Sequence, residues 1–279
     1  MKAQEKITRP SLNQIRTCRV FGALCFVLLL SFERCAWSFD TITLNPSADT
    51  SLHEYFPDHN LGAQAWMTAG TTQNGPRTRG LMMFDIAGAI PAGSVIHSVS
   101  LTFEVTGQPV DGDAPSNFGL HRMLVGWNEG EGSGNPPLLG RAALSGESTW
   151  NERLTGLAAW GAPGGLAGVD FVSQFSSDTF IYGTAFSPYL FDSTPGLAAD
   201  VQLWLDQPEQ NHGWMLKTQS EKEIFSARRF ASLEDPFRAP SLVIEFTPVP
   251  EPSLLPLAAL AGLCLRAWRR LRSRRAERV

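Results

Sequence analysis

Cysteine is scarce in this chain and unevenly placed: 279 residues contain four. Cys18, Cys25 and Cys35 lie near the N-terminus and Cys264 near the C-terminus, so residues 39–248 contain none. That stretch can form no disulfide, and it can hold no cysteine metal site or thiol nucleophile. At about 210 residues, it is long enough to be stabilised by a hydrophobic core alone.

Common catalytic motifs are also missing. The sequence contains no Gly-x-Ser-x-Gly and no His-Glu-x-x-His motif, and its five histidines are scattered. Glu129/Glu131 and Glu221/Glu223 are close in sequence but fall in predicted loops, where such pairs are normally solvated. We therefore predict no catalytic residues and no enzyme activity. A polysaccharide-degrading enzyme is the less favoured alternative, since it needs two carboxyl groups about 5–10 Å apart across a cleft.

Basic residues are depleted from the middle of the chain. The formal net charge of the whole chain is −4, but residues 39–248 hold only 10 of the 23 basic residues and 23 of the 27 acidic ones, a net charge of −13. Such a domain repels nucleic acid and anionic lipid, so we predict no nucleic-acid partner. Divalent cations fit this charge. A strongly acidic glycan would need a local basic patch or a bridging cation.

Long hydrophobic runs are confined to the two ends. A basic stretch precedes a 13-residue apolar run at residues 20–32, and Ala36-Trp37-Ser38 supplies the small residues that a signal peptidase reads. We interpret residues 1–38 as a signal peptide, which predicts export of the middle of the chain. The second apolar run, residues 254–265, would form a helix of roughly 18 Å, shorter than a hydrocarbon core of about 30 Å.

Three signals follow one another at the C-terminus. Val249-Pro250-Glu251-Pro252-Ser253 precedes the second apolar run, and a basic tail follows with Arg266, Arg269 and Arg270. This order resembles the PEP-CTERM sorting signal, which an exosortase, a membrane-bound processing enzyme, reads in exported bacterial proteins. The resemblance implies a sorting signal at residues 249–279 with a short C-terminal transmembrane helix. It also implies a cell-envelope or extracellular location, with transient or permanent anchoring; an ordinary weak anchor is the alternative.

Alternating hydrophobicity predicts β-strands throughout residues 39–248. Val99, Leu101 and Phe103 alternate with polar residues, and so do Leu242 and Ile244. Residues 197–205 instead have helical spacing, and residues 126–176 predict a long, mostly irregular excursion. We predict an all-β sandwich with one short helix, flanked by an N-terminal signal helix and the short C-terminal helix. Shorter strand candidates are residues 40–44, 65–69, 81–86, 118–125, 180–183, 213–217 and 224–227.

A series of motifs runs through the same region. In order, it includes Pro57-Asp58-His59-Asn60-Leu61-Gly62, Arg79-Gly80-Leu81-Met82-Met83-Phe84-Asp85-Ile86, Trp127-Asn128-Glu129-Gly130 and Ala227-Arg228-Arg229-Phe230. The series resembles the DNRLRE-type domain, a jelly-roll module related to carbohydrate-binding modules, over nearly all of residues 40–247. The resemblance implies a jelly-roll β-sandwich at residues 39–248 and polysaccharide as a ligand class. The chain departs from this pattern at Leu233, where the resemblance would predict an arginine.

Three tryptophans are the candidate ligand-binding residues. Trp127, Trp150 and Trp160 lie in predicted loops, and sugar rings stack on exposed aromatic faces. The alternative for each tryptophan is core packing, because most tryptophans in a sandwich of this size are buried. If the three tryptophans line one exposed face, ligand binding is favoured; if they do not, core packing is favoured.

Oxygen-bearing side chains near the first strand are candidate calcium ligands. Asp49, Asp58 and Asn60 are the residues concerned, and calcium binds six to eight oxygens. The alternative is that Asp58 and Asn60 shape a turn through hydrogen bonds to the backbone.

Two adjacent arginines, Arg228 and Arg229, point to opposite sides of a predicted strand. We expect one of them to form a buried or half-buried ion pair with an acidic residue such as Asp85. The alternative is that their planar guanidinium groups bind the carboxylate of a uronic acid.

These observations together predict an exported, exosortase-sorted surface or matrix protein whose β-sandwich binds extracellular polysaccharide, with calcium as a structural ion. The alternative is a surface structural module that acts through protein contacts without glycan affinity.

Overall fold

The structure is a computed structural model that describes residues 39–134 and 140–249, together with residue 266. The predicted signal peptide and the Pro250, Glu251, Pro252 motif lie outside the described residues, as do Arg269 and Arg270. The described part is predominantly β, which confirms the all-β prediction.

The described residues between 39 and 249 form sixteen strands, one α-helix and two 3₁₀ helices, Thr184–Phe186 and Pro208–Gln210, all of them short. The helix, α1, spans Pro195–Asp206. The strands are β1 (Asp40–Leu44), β2 (Ala48–His53), β3 (His59–Asn60), β4 (Trp66–Thr71), β5 (Arg77–Met83), β6 (Val95–Phe103), β7 (Val105–Gly107), β8 (Ser116–Arg122), β9 (Arg141–Ala142), β10 (Glu152–Leu154), β11 (Ala158–Ala159), β12 (Ser177–Ile181), β13 (Tyr189–Phe191), β14 (Trp214–Thr218), β15 (Arg228–Ala231) and β16 (Ser241–Thr247).

Two larger antiparallel sheets organise these strands. The smaller has the order β1-β16-β6-β13. The larger has eight strands in the order β12-β8-β14-β5-β4-β15-β7, with β2 also pairing β5. The remaining strands form two small ladders, β3-β9 and β10-β11. The first and last strands are neighbours, since Asp40 pairs Phe246.

The two sheets share one apolar core, which we call the inner core. The four-stranded sheet supplies Leu101, Phe103 and Ile244, among others, and the eight-stranded sheet supplies Phe118 and Phe230. The ring of Phe103 lies 5.5 Å from that of Phe230, edge to face, so side chains of the two sheets touch directly. The inward residues alternate along β6 and β16, as period-2 patterning predicts.

Helix α1 contributes to the inner core at one end. Thr194 caps it by accepting a hydrogen bond from the Leu197 backbone N–H (3.1 Å), and Pro195 occupies the first turn, where its missing N–H costs little. Leu197, Val201 and Trp204 recur at helical spacing and are fully buried. The helix predicted at residues 197–205 is therefore confirmed.

The excursion predicted at residues 126–176 folds back over the protein. Its described residues, 126–134 and 140–176, are called the cap below; they contain only β9, β10 and β11, and the prediction of little regular structure is confirmed. A second apolar cluster joins three cap residues, Trp150, Trp160 and Phe171, to Leu81 of β5 and Met215 of β14. The residues next to Leu81 and Met215 along these strands face the inner core, so the cluster lies on the other side of the sheet. The cap therefore covers part of the outer face of the eight-stranded sheet.

One strand prediction was wrong. Residues 224–227 form no strand; β15 begins at Arg228 instead. Phe225 has φ = 67°, a left-handed conformation that an extended strand cannot contain. Strand β2 was not predicted, because Ala48–His53 lacks an apolar alternation and its polar side chains are buried.

Candidate functional site

The predicted exposed tryptophan face does not exist. Trp150 and Trp160 are 3% and 6% exposed, because the cap buries them against the outer face of the sheet. Trp127 is partly buried against the same cluster, and its Nε1 donates to the His212 carbonyl at 2.8 Å. All three tryptophans therefore have packing roles in this structure, which corrects the expectation that they form a stacking platform.

Trp150 instead packs against two arginines. The guanidinium carbons of Arg77 and Arg79 lie 5.2 and 5.5 Å from the Trp150 ring centroid, within range of a cation–π interaction. Arg79 also donates from Nε and Nη2 to the two oxygens of Glu221, at 2.7 and 2.9 Å, and from Nη1 to the carbonyls of Gly164 and Gly165. Arg79 thus ties the cap to the sheet.

A groove that contains several charged side chains runs beside this contact on the outer face of β5 and β14. We call it the outer groove. Its main cavity of about 680 Å³ lies between the sheet and cap residues 162–167, and a shallower part continues past Arg77 and Glu221 to Lys222. Its charged side chains are Glu54, Arg77, Arg79, Lys217, Glu221 and Lys222. Four of the ten basic residues of an otherwise acidic domain therefore line one groove.

Hydrogen bonds hold the charged groups of the groove in place. Burial raises the pKa of Glu221, but the hydrogen bonds from Arg79 and the positive charges of Arg79, Lys217 and Arg77 together outweigh it, so the pKa is lowered. Burial lowers the pKa of Lys217, while Glu221 opposes that shift. Burial also lowers the pKa of His121 to about 4, so this histidine is neutral at pH 7. The basic groups of the groove thus outnumber its two carboxylates.

A second concave surface lies on the opposite side of the β4–β5 hairpin. Side chains alternate across an extended chain, so Glu54 and Arg77 line the outer groove while Tyr55, Pro76 and Thr78 line the second cavity. We call this cavity, of about 470 Å³, the hairpin cleft. Tyr55 at its rim is 63% exposed.

The two adjacent arginines have different environments in the hairpin cleft. Arg228 is 1% exposed and forms an ion pair with Asp113, not with Asp85. Asp85 is exposed and accepts a hydrogen bond from the Gly88 backbone N–H at 3.0 Å. The prediction of a buried arginine ion pair is confirmed for Arg228, with a different partner. Arg229 is partly buried, and its guanidinium carbon lies 5.2 Å from the Trp66 ring centroid.

The candidate calcium ligands have separate hydrogen-bonding roles. The Asn60 Oδ1 accepts from the backbone N–H groups of Gly62 (3.2 Å) and Gly132 (2.7 Å), and its Nδ2 donates to the carbonyls of Glu129 and Ser148. All four hydrogen bonds of this carboxamide are used, and they join β3 to the cap.

The two candidate calcium ligands that carry carboxylates, Asp49 and Asp58, lie in different environments. Asp58 is exposed and accepts from the Asn151 side chain at 2.8 Å, whereas Asp49 is buried and accepts from the Leu233 N–H at 2.7 Å. Within residues 39–134 and 140–249, no cluster of three or more His, Cys, Asp or Glu residues is placed to hold a metal ion. The calcium hypothesis thus rests on Asp49 and Asp58 and stays a prediction.

Asp49 is buried beside two partly buried acidic side chains, Glu129 and Glu234. Burial raises the pKa of Asp49 well above 3.8, and the nearby charges of Glu234 and Glu129 raise it further. A hydrogen bond from the Leu233 backbone lowers the pKa and offsets only part of this increase. Burial also raises the pKa of Glu129, whose Oε1 accepts from the Asp49 backbone N–H at 2.6 Å. These carboxyl groups therefore resist ionisation where they lie.

Comparison with known proteins adds no assignment. No family model matches the chain, and no curated protein matches it. Over the part of the chain that the structure describes, no helix is long and apolar enough to cross a membrane.

Sequence reasoning missed the outer groove. Glu54, Arg77, Lys217 and Lys222 come from three separate parts of the chain and form no local motif. The available signal was the scarcity of basic residues: in a domain with only ten, the pairs Arg77/Arg79 and Lys217/Lys222 stand out as candidates for a shared basic surface.

Proposed function

We propose that this chain is an exported, exosortase-sorted surface or matrix protein whose β-sandwich, of jelly-roll type, binds polysaccharide in the outer groove. The observation that carries the proposal is the concentration of four of the domain's ten basic residues in one groove. Because the domain as a whole is strongly acidic, an anionic chain would be repelled by most of its surface and attracted here. The proposed ligand is therefore an acidic polysaccharide, bound without a bridging cation.

The groove has the features of a site for an extended polar chain. It is open along the sheet, its wall is formed by the cap, and Gln219 and Lys222 are exposed at its edge. Arg77 is partly exposed, with a side-chain exposure of 37%. Trp150 supports the site indirectly, since its ring packs against the guanidinium groups of Arg77 and Arg79.

Export and sorting are the second half of the proposal. They rest on the order of the leader, the Pro250-Glu251-Pro252 motif, the apolar run and the arginine tail with Arg266, Arg269 and Arg270. An exosortase-type enzyme is the proposed processing partner, and the C-terminal apolar run is the proposed contact with the membrane.

Binding should be measured with the intact chain in a mild detergent. We expect it to bind an acidic polysaccharide such as polygalacturonate, and a neutral glucan much more weakly. Lys222→Gln should weaken binding about threefold at low salt, since an exposed charge contributes up to about 1 kcal/mol. The matched control is Arg238→Gln, which removes one positive charge from an exposed residue elsewhere. Equal losses in both variants, or equal binding of neutral and acidic polymers, would contradict the proposal.

An exposed aromatic row favours the alternative of a surface module that acts through protein contacts. Phe180, Tyr182 and Phe186 are 49%, 50% and 68% exposed, with ring centroids 5.0 and 5.5 Å apart along the row. Such residues are enriched in protein interfaces. Under this alternative, Phe186→Ser would abolish retention at the cell surface while Lys222→Gln would not change it.

A further inference from the structure

The hairpin cleft contains an arginine whose charge is not compensated. Within the described residues, the Arg229 guanidinium has no ion-pair or hydrogen-bond partner, and it lies over the Trp66 ring. This contrasts with Arg77, Arg79, Arg122, Arg141, Arg228 and Arg238, each of which pairs with a carboxylate. A planar guanidinium offers five N–H donors, and two parallel donors match a carboxylate.

The surrounding structure holds Arg229 in place. Its side chain crosses Gly107 on the neighbouring strand β7, where an added Cβ would lie only 3.0 Å from the Arg229 Cδ. The Trp66 ring supports its other end. A guanidinium fixed in this way loses less conformational entropy on binding than a freely moving one.

A further polar group of the cleft lacks a partner. Thr68 lines it and is 6% exposed, and its Oγ1 has no hydrogen-bond partner among the described protein atoms. A buried polar group without a partner costs free energy, so such groups are normally satisfied. A ligand that carries several oxygens would meet this requirement.

The rim adds apolar surface to these polar groups. Tyr55 is 63% exposed and Val110 is 94% exposed, and Phe56 and Pro109 lie beside them in the lining. These features fit a ligand of one kind. The cation would bind a carboxylate, the unpartnered polar atom would bind a ring oxygen or hydroxyl, and the exposed aromatic ring would pack against an apolar face of the ligand ring. A sugar ring with a carboxylate substituent has these properties.

We propose that the hairpin cleft is a second ligand site, which binds a single uronic acid residue through the guanidinium of Arg229 with Tyr55 against the sugar ring. The inference does not depend on the outer groove, which lies on the other side of the β4–β5 hairpin. It goes beyond the proposed function by naming a separate site and the type of residue it takes.

The test uses monosaccharides, which fit a one-residue site but are too small to span the groove. Calorimetric titration of the intact chain with glucuronic acid should give saturable binding, at least tenfold tighter than with glucose, because a charge-assisted bidentate contact is lost with glucose. Arg229→Gln should abolish that preference, and Arg229→Lys should restore only part of it, since an ammonium keeps the charge but not the fork.

Control variants distinguish the cleft from the outer groove and from nonspecific anion binding. Tyr55→Ala, at an exposed position, should weaken glucuronic acid binding without affecting folding. Lys222→Gln in the groove should leave monosaccharide binding unchanged while it weakens binding of the polymer, so failure of the groove proposal and failure of the cleft proposal give different results. Equal binding of glucose and glucuronic acid, an unchanged affinity in Arg229→Gln, or competition by acetate at the same concentration would overturn the proposal.

Discussion

The two faces of the eight-stranded sheet differ in what they contribute. The inner face is apolar where it meets the four-stranded sheet: the rings of Phe118 and Phe230 are in edge-to-face contact, and Phe103 of the opposite sheet packs against Phe230. The outer face is divided: the cap covers an apolar part, and the adjoining part is the charged outer groove. The same strands thus provide stability on one side and a polar surface on the other, and damage to each side should have different consequences.

The largest effect is expected at the inner core. Phe103→Ala should lower the free energy of unfolding of the whole domain by about 3–5 kcal/mol, because it removes a fully buried ring that contacts Phe191 and Phe230. Denaturant titration measures this change. Val95→Ala in the same strand is the control, since Val95 is 49% exposed and should change stability by less than about 0.5 kcal/mol. A loss below about 1 kcal/mol in Phe103→Ala would place the main core elsewhere.

A substitution beneath the cap should have a more local effect. Trp160→Ala removes a buried ring and the hydrogen bond from its Nε1 to the Thr149 carbonyl (2.8 Å). Hydrogen exchange should then show faster exchange at cap amides such as Gly164, while amides of β16 stay protected. Leu157→Ala, at a cap residue that is 70% exposed, should leave both sets unchanged. Uniform loss of protection in Trp160→Ala would mean that the cap and the sandwich unfold as one unit.

The smallest effect concerns pH, and it should have opposite signs at two acidic residues. Burial raises the pKa of Glu147, but hydrogen bonds from Arg141 and from the backbone N–H groups of Leu144 and Glu131 outweigh it and lower the pKa from 4.5 to about 2. Ionised Glu147 therefore stabilises the fold above pH 4.5, and this contribution is lost as the pH falls towards 2. Glu147→Gln should cost about 1–2 kcal/mol at pH 7 and little at pH 2, allowing for screening by solvent.

Asp49 should show the opposite pH dependence of stability. Its pKa is raised in the folded state, so its ionisation costs stability as the pH rises above 3.8. Asp49→Asn should therefore become more favourable, relative to the natural protein, as the pH rises, whereas Glu147→Gln becomes less favourable. Thermal unfolding of both variants across the same pH series checks the signs. A parallel pH dependence of the two differences would contradict these assignments.

The inner core was predictable from the sequence, and the outer face was not. Val99, Leu101 and Phe103 alternate with polar residues, so the inward face of β6 could be identified without knowledge of any partner strand. Trp150 and Trp160 lie in a segment rich in glycine and proline, where local pattern gives no sign of the sheet that covers them. Their burial depends on how residues distant in sequence pack together.

The role of Asn60, one of the predicted calcium ligands, could not be read from the sequence for a similar reason. A carboxamide in a loop looks the same in sequence whether it binds an ion or the backbone. Asn60 binds the backbone, and Gly130 and Gly132 approach it so closely that an added Cβ at either glycine would overlap Asn60 atoms. The glycines at these positions were visible in the sequence, and their close packing against one side chain was not.

The position of β16 in its sheet determines how the domain would respond to a pulling force at its C-terminal end. β16 lies between β1 and β6 and pairs with five residues of the first and seven of the second, and it ends at Thr247, just before the proposed sorting motif. A tether attached beyond Val249 would pull on a strand that is held along both edges. Force directed along that strand would load these hydrogen bonds together, in shear, instead of opening them one after another. Under the proposed tethering, tension at the C-terminal end would pass into the middle of the smaller sheet.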